Sequence, residues 1–441
     1  MSWPQPPISA NWPRSSSGAG EPPVSALGSA PVITGMAVLN PLADSVPGFA
    51  AALRSGRSAI TTTPENRDGR EHVAVGAWLD DFTVTGWALR HLAEDPDAGQ
   101  RLRTATARCA LPAQTAACVA VAAVRAAGLG AADADRAALI VAGNNLALDY
   151  YTRTTDADRL PPSHVLTHAD VDVIGVVSEA TGVRGEGWTV GGATASGTLA
   201  AIQGARLVRS GLVDGCLVVA PLADLSRLEF RAYRSSGVLA CPEPDDPPPR
   251  ACRPFDRSRL GFVYGQGAAA IVVESAERAA QRGATLLATI AGTGQRLDGR
   301  RGVEPTRDGL ADAMRAALAE SEVDVADVDY VNAHAAGTVA GDSVEVAALD
   351  VVFGERGRPL VNSTKPLTGH AMTAAGLQEI VASVVQMREG FCHPNPQLRD
   401  PLPTACRYAA PEAQATRIDV ALTNSFAFSG INTSLVLTTR S

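Results

Sequence analysis

The chain has 441 residues, a mass of 45.5 kDa and a formal charge of −8, room for two or three average domains or one large double core and far too much for a small stapled module. Its 46% hydrophobic and 19% charged residues, with a mean hydropathy of +0.04, are globular rather than disordered or fibrous, and its net acidity argues against a non-specific nucleic-acid binder. No run of 18 apolar, uncharged residues occurs, so no membrane span is expected.

Residues 1–28 carry six prolines (Pro4, Pro6, Pro7, Pro13, Pro22, Pro23), the run Ser15-Ser16-Ser17 and only two charges, Arg14 and Glu21. They read as a disordered leader without the basic start and apolar stretch of a secretory signal. From Ala30 the pattern changes. The segments 31–38, 137–143, 215–220 and 268–273 are uncharged and rich in Val, Ile and Ala, as expected of strands buried on both faces in the middle layer of an α/β sandwich. Ala- and Arg-rich stretches of helical period lie between them, for example 199–208 and 310–319. The second part repeats the theme: a helix from Asp308, a strand at 329–332, a helix from Asp342, a strand at 359–361, a helix from Thr373 and a strand near 418–422. Two related α/β halves are expected, residues 29–285 and 286–441, with an exposed loop at 242–250 carrying Pro247-Pro248-Pro249.

Seven cysteines are dispersed and form no CxxC pair, which favours neither a disulfide framework nor a zinc site and fits a reducing cytoplasm. No metal site is expected. Of 38 basic residues a single one, Lys365, is lysine. Two histidines stand just beyond predicted strand ends, His334 in Val331-Asn332-Ala333-His334 and His370 in Ser363-Thr364-Lys365-Pro366-Leu367-Thr368-Gly369-His370, where α/β folds build their sites. One such histidine is usually a structural hydrogen-bonder; two in matching places, with the one lysine five residues before the second, point to a site. In Gly191-Gly192-Ala193-Thr194-Ala195-Ser196-Gly197 small residues flank a hydroxyl just before a helical run, the arrangement of a nucleophile elbow at the positive end of a helix dipole. A fourth segment, Asn424-Ser425-Phe426-Ala427-Phe428-Ser429-Gly430-Ile431-Asn432, reads as a tight turn before the last strand. Cys392 beside His393 is a connection in a Pro-rich stretch rather than a catalytic pair. Asp342, Glu345 and Glu379 read as helix caps or braces for Lys365.

Together these segments resemble the β-ketoacyl synthases, the condensing enzymes of fatty-acid and polyketide assembly in the thiolase superfamily. The resemblance covers roughly residues 30–440: VITGMAVLNPL at the start, RPFDRSRLGFVYGQGAAAIVVES (253–275), NAHAAGT with Asp342 and Glu345, STKPLTGH, and NSFAFSGIN. It implies a thiolase-like fold, two halves forming a layered αβαβα sandwich. It also implies a catalytic set of His334, His370 and Lys365, an elbow residue at Thr194, a gating Phe428 and, at Thr338, a contact to the pantetheine arm. The family's elbow residue is a cysteine. A threonine hydroxyl lacks the low pKa of a thiol and needs a general base to attack a thioester. Gln266 stands where the family has a glutamate in a GEG turn, and Ala335-Ala336 replace a Gly-Thr pair.

The resemblance therefore implies a stand-alone ketosynthase-fold enzyme of polyketide or specialised-metabolite biosynthesis acting on acyl-carrier-protein thioesters. Its chemistry is expected to be histidine-assisted: malonyl-ACP decarboxylation, or intramolecular C–C bond formation or cyclisation, without ordinary acyl-cysteine condensation. The alternatives are a chain-length-factor-like, non-catalytic partner of a ketosynthase and a condensing enzyme with an engineered Cys-to-Thr site. No cofactor is expected beyond the carrier's phosphopantetheine arm. The partners expected are an acyl carrier protein docked by arginines at the pocket mouth, and a second copy or a second ketosynthase-fold subunit paired across the strand Cys216 to Ala220. Neither nucleic acid nor membrane is expected as a partner, and the protein is expected in the cytoplasm.

Overall fold

A computed structural model describes residues 30–63, 73–155 and 159–439; the leader expected over 1–28 lies outside them. The first half runs through β1 (Pro31–Leu39), α1 (Leu111–Ala127), β2 (Ala138–Ala142), α2 (Val171–Thr181), β3 (Gly187–Val190), α3 (Ser196–Arg209), β4 (Gly215–Ala220) and β5 (Ala268–Ser275). The second half repeats the order: β6 (Ala288–Leu297), α4 (Arg307–Ser321), β7 (Tyr330–Asn332), α5 (Val339–Phe353), β8 (Leu360–Asn362), α6 (Ala375–Glu389), β9 (Val420–Ala427) and β10 (Ile431–Thr438).

The pairing is duplicated as well. Spatial order is β3-β2-β4-β5-β1 in one half and β8-β7-β9-β10-β6 in the other, with a short edge strand, Arg407–Tyr408, beside β8. In both, the first three strands of that order run parallel and the last two pair antiparallel. The halves join where β1 meets β6 antiparallel at Val32↔Thr289 and Ile33↔Ala288. Strands such as β2 and β4 are buried along nearly their whole length because both faces are covered.

Those covers define the layers. The helices α3 and α6 form the middle one: Ala200, Ile202 and Ala205 of α3 and Leu377, Ile380 and Val384 of α6 share a core with β2, β4, β5, β9 and β10. One outer layer packs α1 and α2 on the first half, and the other packs α4 and α5 on the second. This is the αβαβα sandwich.

The middle helices begin alike. Each follows a 3-10 turn, Ala193–Ala195 before α3 and Met372–Ala374 before α6. The first residue of each turn is in left-handed backbone, Ala193 at φ 47° and Met372 at φ 52°. Thr194 and Thr373 thus occupy equivalent places. The helix starts approach so closely that only glycine fits: a Cβ on Gly197 would lie 2.7 Å from the backbone N of Leu377, and one on Gly376 would collide with Thr198 Oγ1.

One sequence expectation fails here. The segment Cys216–Ala220 is β4, paired on one side with β2 and on the other with β5. Its backbone donors and acceptors are used, so no second subunit can add to it. The strand left at the sheet's edge on that side is β3.

Candidate active site

The site forms where the elbow before α3 meets the ends of β7, β8 and β9. Five of the six residues singled out in the sequence, Thr194, His334, Thr338, His370 and Phe428, line one cavity of about 60 Å³. Lys365 does not line it but lies buried beneath the His334 loop. Phe262, Met372 and Phe426 also line it and were missed in the sequence. Of these only Phe426 carried a signal, standing two residues before Phe428 in the same motif.

His334 follows β7 on a loop whose backbone is held by carboxylates from the first turns of α5. Glu345 accepts from the N–H of His334 at 2.9 Å and of Ala335 at 2.7 Å. Asp342 accepts from Gly337 N at 3.0 Å and Phe255 N at 2.8 Å. These bonds hold Ala335 at φ 24°, a conformation disfavoured for a residue with a side chain. The capping residue of α5 is Thr338, whose Oγ1 accepts from Gly341 N at 3.2 Å. Asp342, where the sequence suggested a cap, is therefore a loop brace. Burial pushes Glu345 up to about 7 and Asp342 up to about 6, against the downward pull of their backbone donors.

Lys365 donates from Nζ to Glu379 Oε1 and to the backbone oxygen of His334. It therefore anchors the His334 loop from below, and of the three carboxylates read as caps or braces Glu379 is the one bonded to it. Burial raises the Glu379 carboxyl above its ordinary range, opposed by the Lys365 charge.

His370 is fixed by its backbone and by its ring. Its N–H donates to Val263 O at 2.7 Å and its carbonyl accepts from Gly265 N at 3.0 Å. The N–H of Met372 donates to His370 Nδ1 at 3.2 Å. A ring nitrogen that accepts is unprotonated, so the neutral tautomer carries its proton on Nε2. The two imidazoles stand 5.4 Å apart, centroid to centroid, at 79°, with Phe262 5.5 Å from His370 and Phe426 5.8 Å from His334. Neither Nε2 has a hydrogen-bond partner among the described residues. Burial first, then the positive charge of Lys365, holds both histidines well below the usual imidazole range. Two neutral imidazoles thus line one small, largely apolar chamber, with the Nε2 proton of His370 fixed by the Met372 contact.

Thr194 stands at the positive end of α3, as expected, but its hydroxyl donates to the backbone oxygen of Phe426 at 2.6 Å. Among the described residues no base is bonded to it. Gln266 is away from the cavity, accepting from Leu79 N at 2.8 Å through its side chain; an amide serves that role without a buried charge. The Sγ of Cys392 contacts the backbone oxygen of His393 and not its ring.

Comparison with known proteins agrees with this frame. Residues 30–279 match the beta-ketoacyl synthase N-terminal domain and residues 287–399 the C-terminal domain. The chain is 32% identical to the polyketide biosynthesis malonyl-ACP decarboxylase PksF of Bacillus subtilis (strain 168), over 92% of this chain and 95% of that protein. It is 30% identical to 3-oxoacyl-[acyl-carrier-protein] synthase 2 of Vibrio harveyi, over 92% and 97%. Among solved structures, the ishigamide ketosynthase/chain length factor superposes with a TM-score of 0.80 at 27% identity, covering 94% of this chain and 100% of that one. By its domains, its duplicated fold and its full-length relatives, the chain belongs to the β-ketoacyl synthase family.

Proposed function

We propose that the protein is a malonyl-ACP decarboxylase of a polyketide or related pathway. The observation that carries this reading is the pairing of two neutral histidines with an elbow hydroxyl to which no base is bonded among the described residues. Cleavage of the bond between the malonyl α-carbon and its carboxylate releases CO₂ and leaves an enolate. Its charge develops on the thioester oxygen, where Nε2–H of His370 and the His334 ring supply hydrogen bonds in a water-poor chamber. A proton from solvent at the α-carbon then gives the acetyl thioester. No acyl-enzyme is needed, and the phosphopantetheine arm of the carrier is the only prosthetic group involved. Thr338, with its hydroxyl proton unspent on the helix cap, is the residue we assign to that arm. Phe428 gates the chamber. The PksF relative, a malonyl-ACP decarboxylase by name, supports the same reaction.

The carrier docks at the mouth, in this reading, between two basic edges. The helix Arg227–Ser235 buries Phe230, places Tyr233 6.4 Å from Phe428 and leaves Arg231 exposed. Opposite, the exposed Arg300 and Arg301 adjoin Val303 and Pro305 of the cavity wall. Arg231, Arg300 and Arg301 pair with no carboxylate among the described residues, which suits an acidic partner surface. A second subunit, the same chain or another ketosynthase-fold chain, would add at β3, the uncharged edge strand Gly187–Val190. The seven cysteines are unpaired, in keeping with a reducing cytoplasm.

The test is a mass-spectrometric assay with malonyl-ACP on wild type, His334→Ala and Thr194→Cys. Acetyl-ACP from wild type, lost in His334→Ala, supports the decarboxylase. Its absence from wild type, with elongation appearing only in Thr194→Cys, refutes it and favours a non-catalytic partner or a silenced condensing enzyme.

A further inference from the structure

We infer that Thr194 is a positioning residue: its hydroxyl ties the elbow to the end of β9, holding Phe426 against His334 and seating the Phe428 turn over the cavity. The inference rests on the decarboxylase reading above and adds what the elbow residue does in it.

The geometry runs through four contacts. A threonine hydroxyl has one proton, and here it is spent on Phe426 O at 2.6 Å. One turn further along, Thr198 Oγ1 and Ser425 Oγ lie 2.8 Å apart, so two adjacent hydroxyl rungs fasten α3 to β9, with the Thr194 rung beside the cavity. The residue fixed by that rung, Phe426, puts its ring 5.8 Å from that of His334. Two residues on, Phe428 closes the wall, and Ser429, in left-handed backbone at φ 65°, donates its N–H to Gly302 O at 2.7 Å. Removing the rung leaves a buried carbonyl without its side-chain donor and frees the strand end that sets both aromatic rings.

This role also explains how an elbow without a nucleophile serves the reaction. No bond forms to Thr194 Oγ1 at any stage; the broken bond is the substrate's own C–C bond. Of the two histidines Phe426 packs against His334, so the rung acts on the position of that ring.

The experiment uses full-length wild type, Thr194→Val and Thr194→Ser. The valine is nearly isosteric and lacks the donor, and the serine restores it. Three measurements are made: kcat and KM with malonyl-ACP, intact-protein mass after incubation with malonyl-ACP and acetyl-ACP, and amide hydrogen exchange of the peptide spanning 424–432. Thr194→Val is expected to lose about tenfold in kcat, the scale of one hydrogen bond left unmade, with a much smaller change in KM. Its 424–432 amides exchange faster, and Thr194→Ser returns both quantities towards wild type. An acetyl or malonyl ester on Thr194, or a valine variant equal to wild type in kcat and exchange, overturns the inference. If wild type makes no acetyl-ACP but the valine variant still loosens 424–432 and the serine variant does not, the reaction fails and the rung stands.

Discussion

The buried ion pair under the site gives the sharpest energetic prediction. Lys365 is 1% exposed and Glu379 also 1%, and their charges meet without water between them. Replacing Lys365 by Met strands a carboxylate in the core. Breaking such a pair costs about 3–5 kcal/mol, whereas replacing both partners by apolar residues of similar size is often neutral. The double variant Lys365→Met/Glu379→Met therefore recovers most of the loss. It does not recover all of it, because the backbone oxygen of His334 loses its Lys365 donor in both, a residual cost of about 1–3 kcal/mol. The stranded Glu379 adds a pH signature. Its folded pKa lies above the unfolded value, so the protonated form is favoured in the fold and stability falls as pH rises from the unfolded pKa towards the folded one. The gap between single and double variants is thus narrower at acid than at alkaline pH. Urea denaturation, with midpoints read at equal slopes, measures all of this. A double variant no more stable than the single one, or a single variant within about 1 kcal/mol of wild type, would refute the reasoning.

Both ring signals of His334 and His370 are expected to stay at their neutral positions by NMR as pH falls from 8 to 6, because burial and Lys365 lower their pKa values. The sign follows: depressed imidazoles contribute stability that is present above their unfolded pKa and lost as pH falls towards the folded one. A titration centred near the ordinary value would contradict it. Gly197→Ala drives a methyl against Leu377 N and separates the two middle helices, lowering thermal stability by about 1–3 kcal/mol or more; an unchanged melting curve would count against the close approach. Charge reversal in Arg231→Glu/Arg301→Glu is expected to raise KM for malonyl-ACP about tenfold at low salt and less at high salt, with kcat retained. An equal KM at all salt concentrations would place the docking surface elsewhere.

The fold was legible because its central strands are uncharged runs and its halves repeat one order of elements, a pattern that survives in composition alone. The site was legible for a different reason: His334, Lys365 and His370 sit in dense motifs at strand ends. What the sequence concealed depends on contacts between distant segments. The partner of the Thr194 hydroxyl lies 232 residues away, and the proton position on His370 depends on a backbone N–H of Met372 that has no residue signature. The subunit-pairing strand was misplaced because it was carried over from the resemblance, and only strand order, which no residue type encodes, distinguishes the inner β4 from the outer β3. Likewise Thr338 and Asp342 are both acceptable caps by type, and the first turn of α5 decides between them.

The twin turns before α3 and α6 make the backbone of this centre nearly symmetric while its chemistry is wholly one-sided. Thr194 faces the cavity and Thr373, its counterpart, is buried with its hydroxyl unpartnered among the described residues. Whatever distinguishes an acyl-accepting elbow from a silent one is therefore carried by side chains on a frame that both halves already share. The frame is common to both halves, and the difference lies in what each turn's side chain meets: a cavity at Thr194, the packed interior at Thr373.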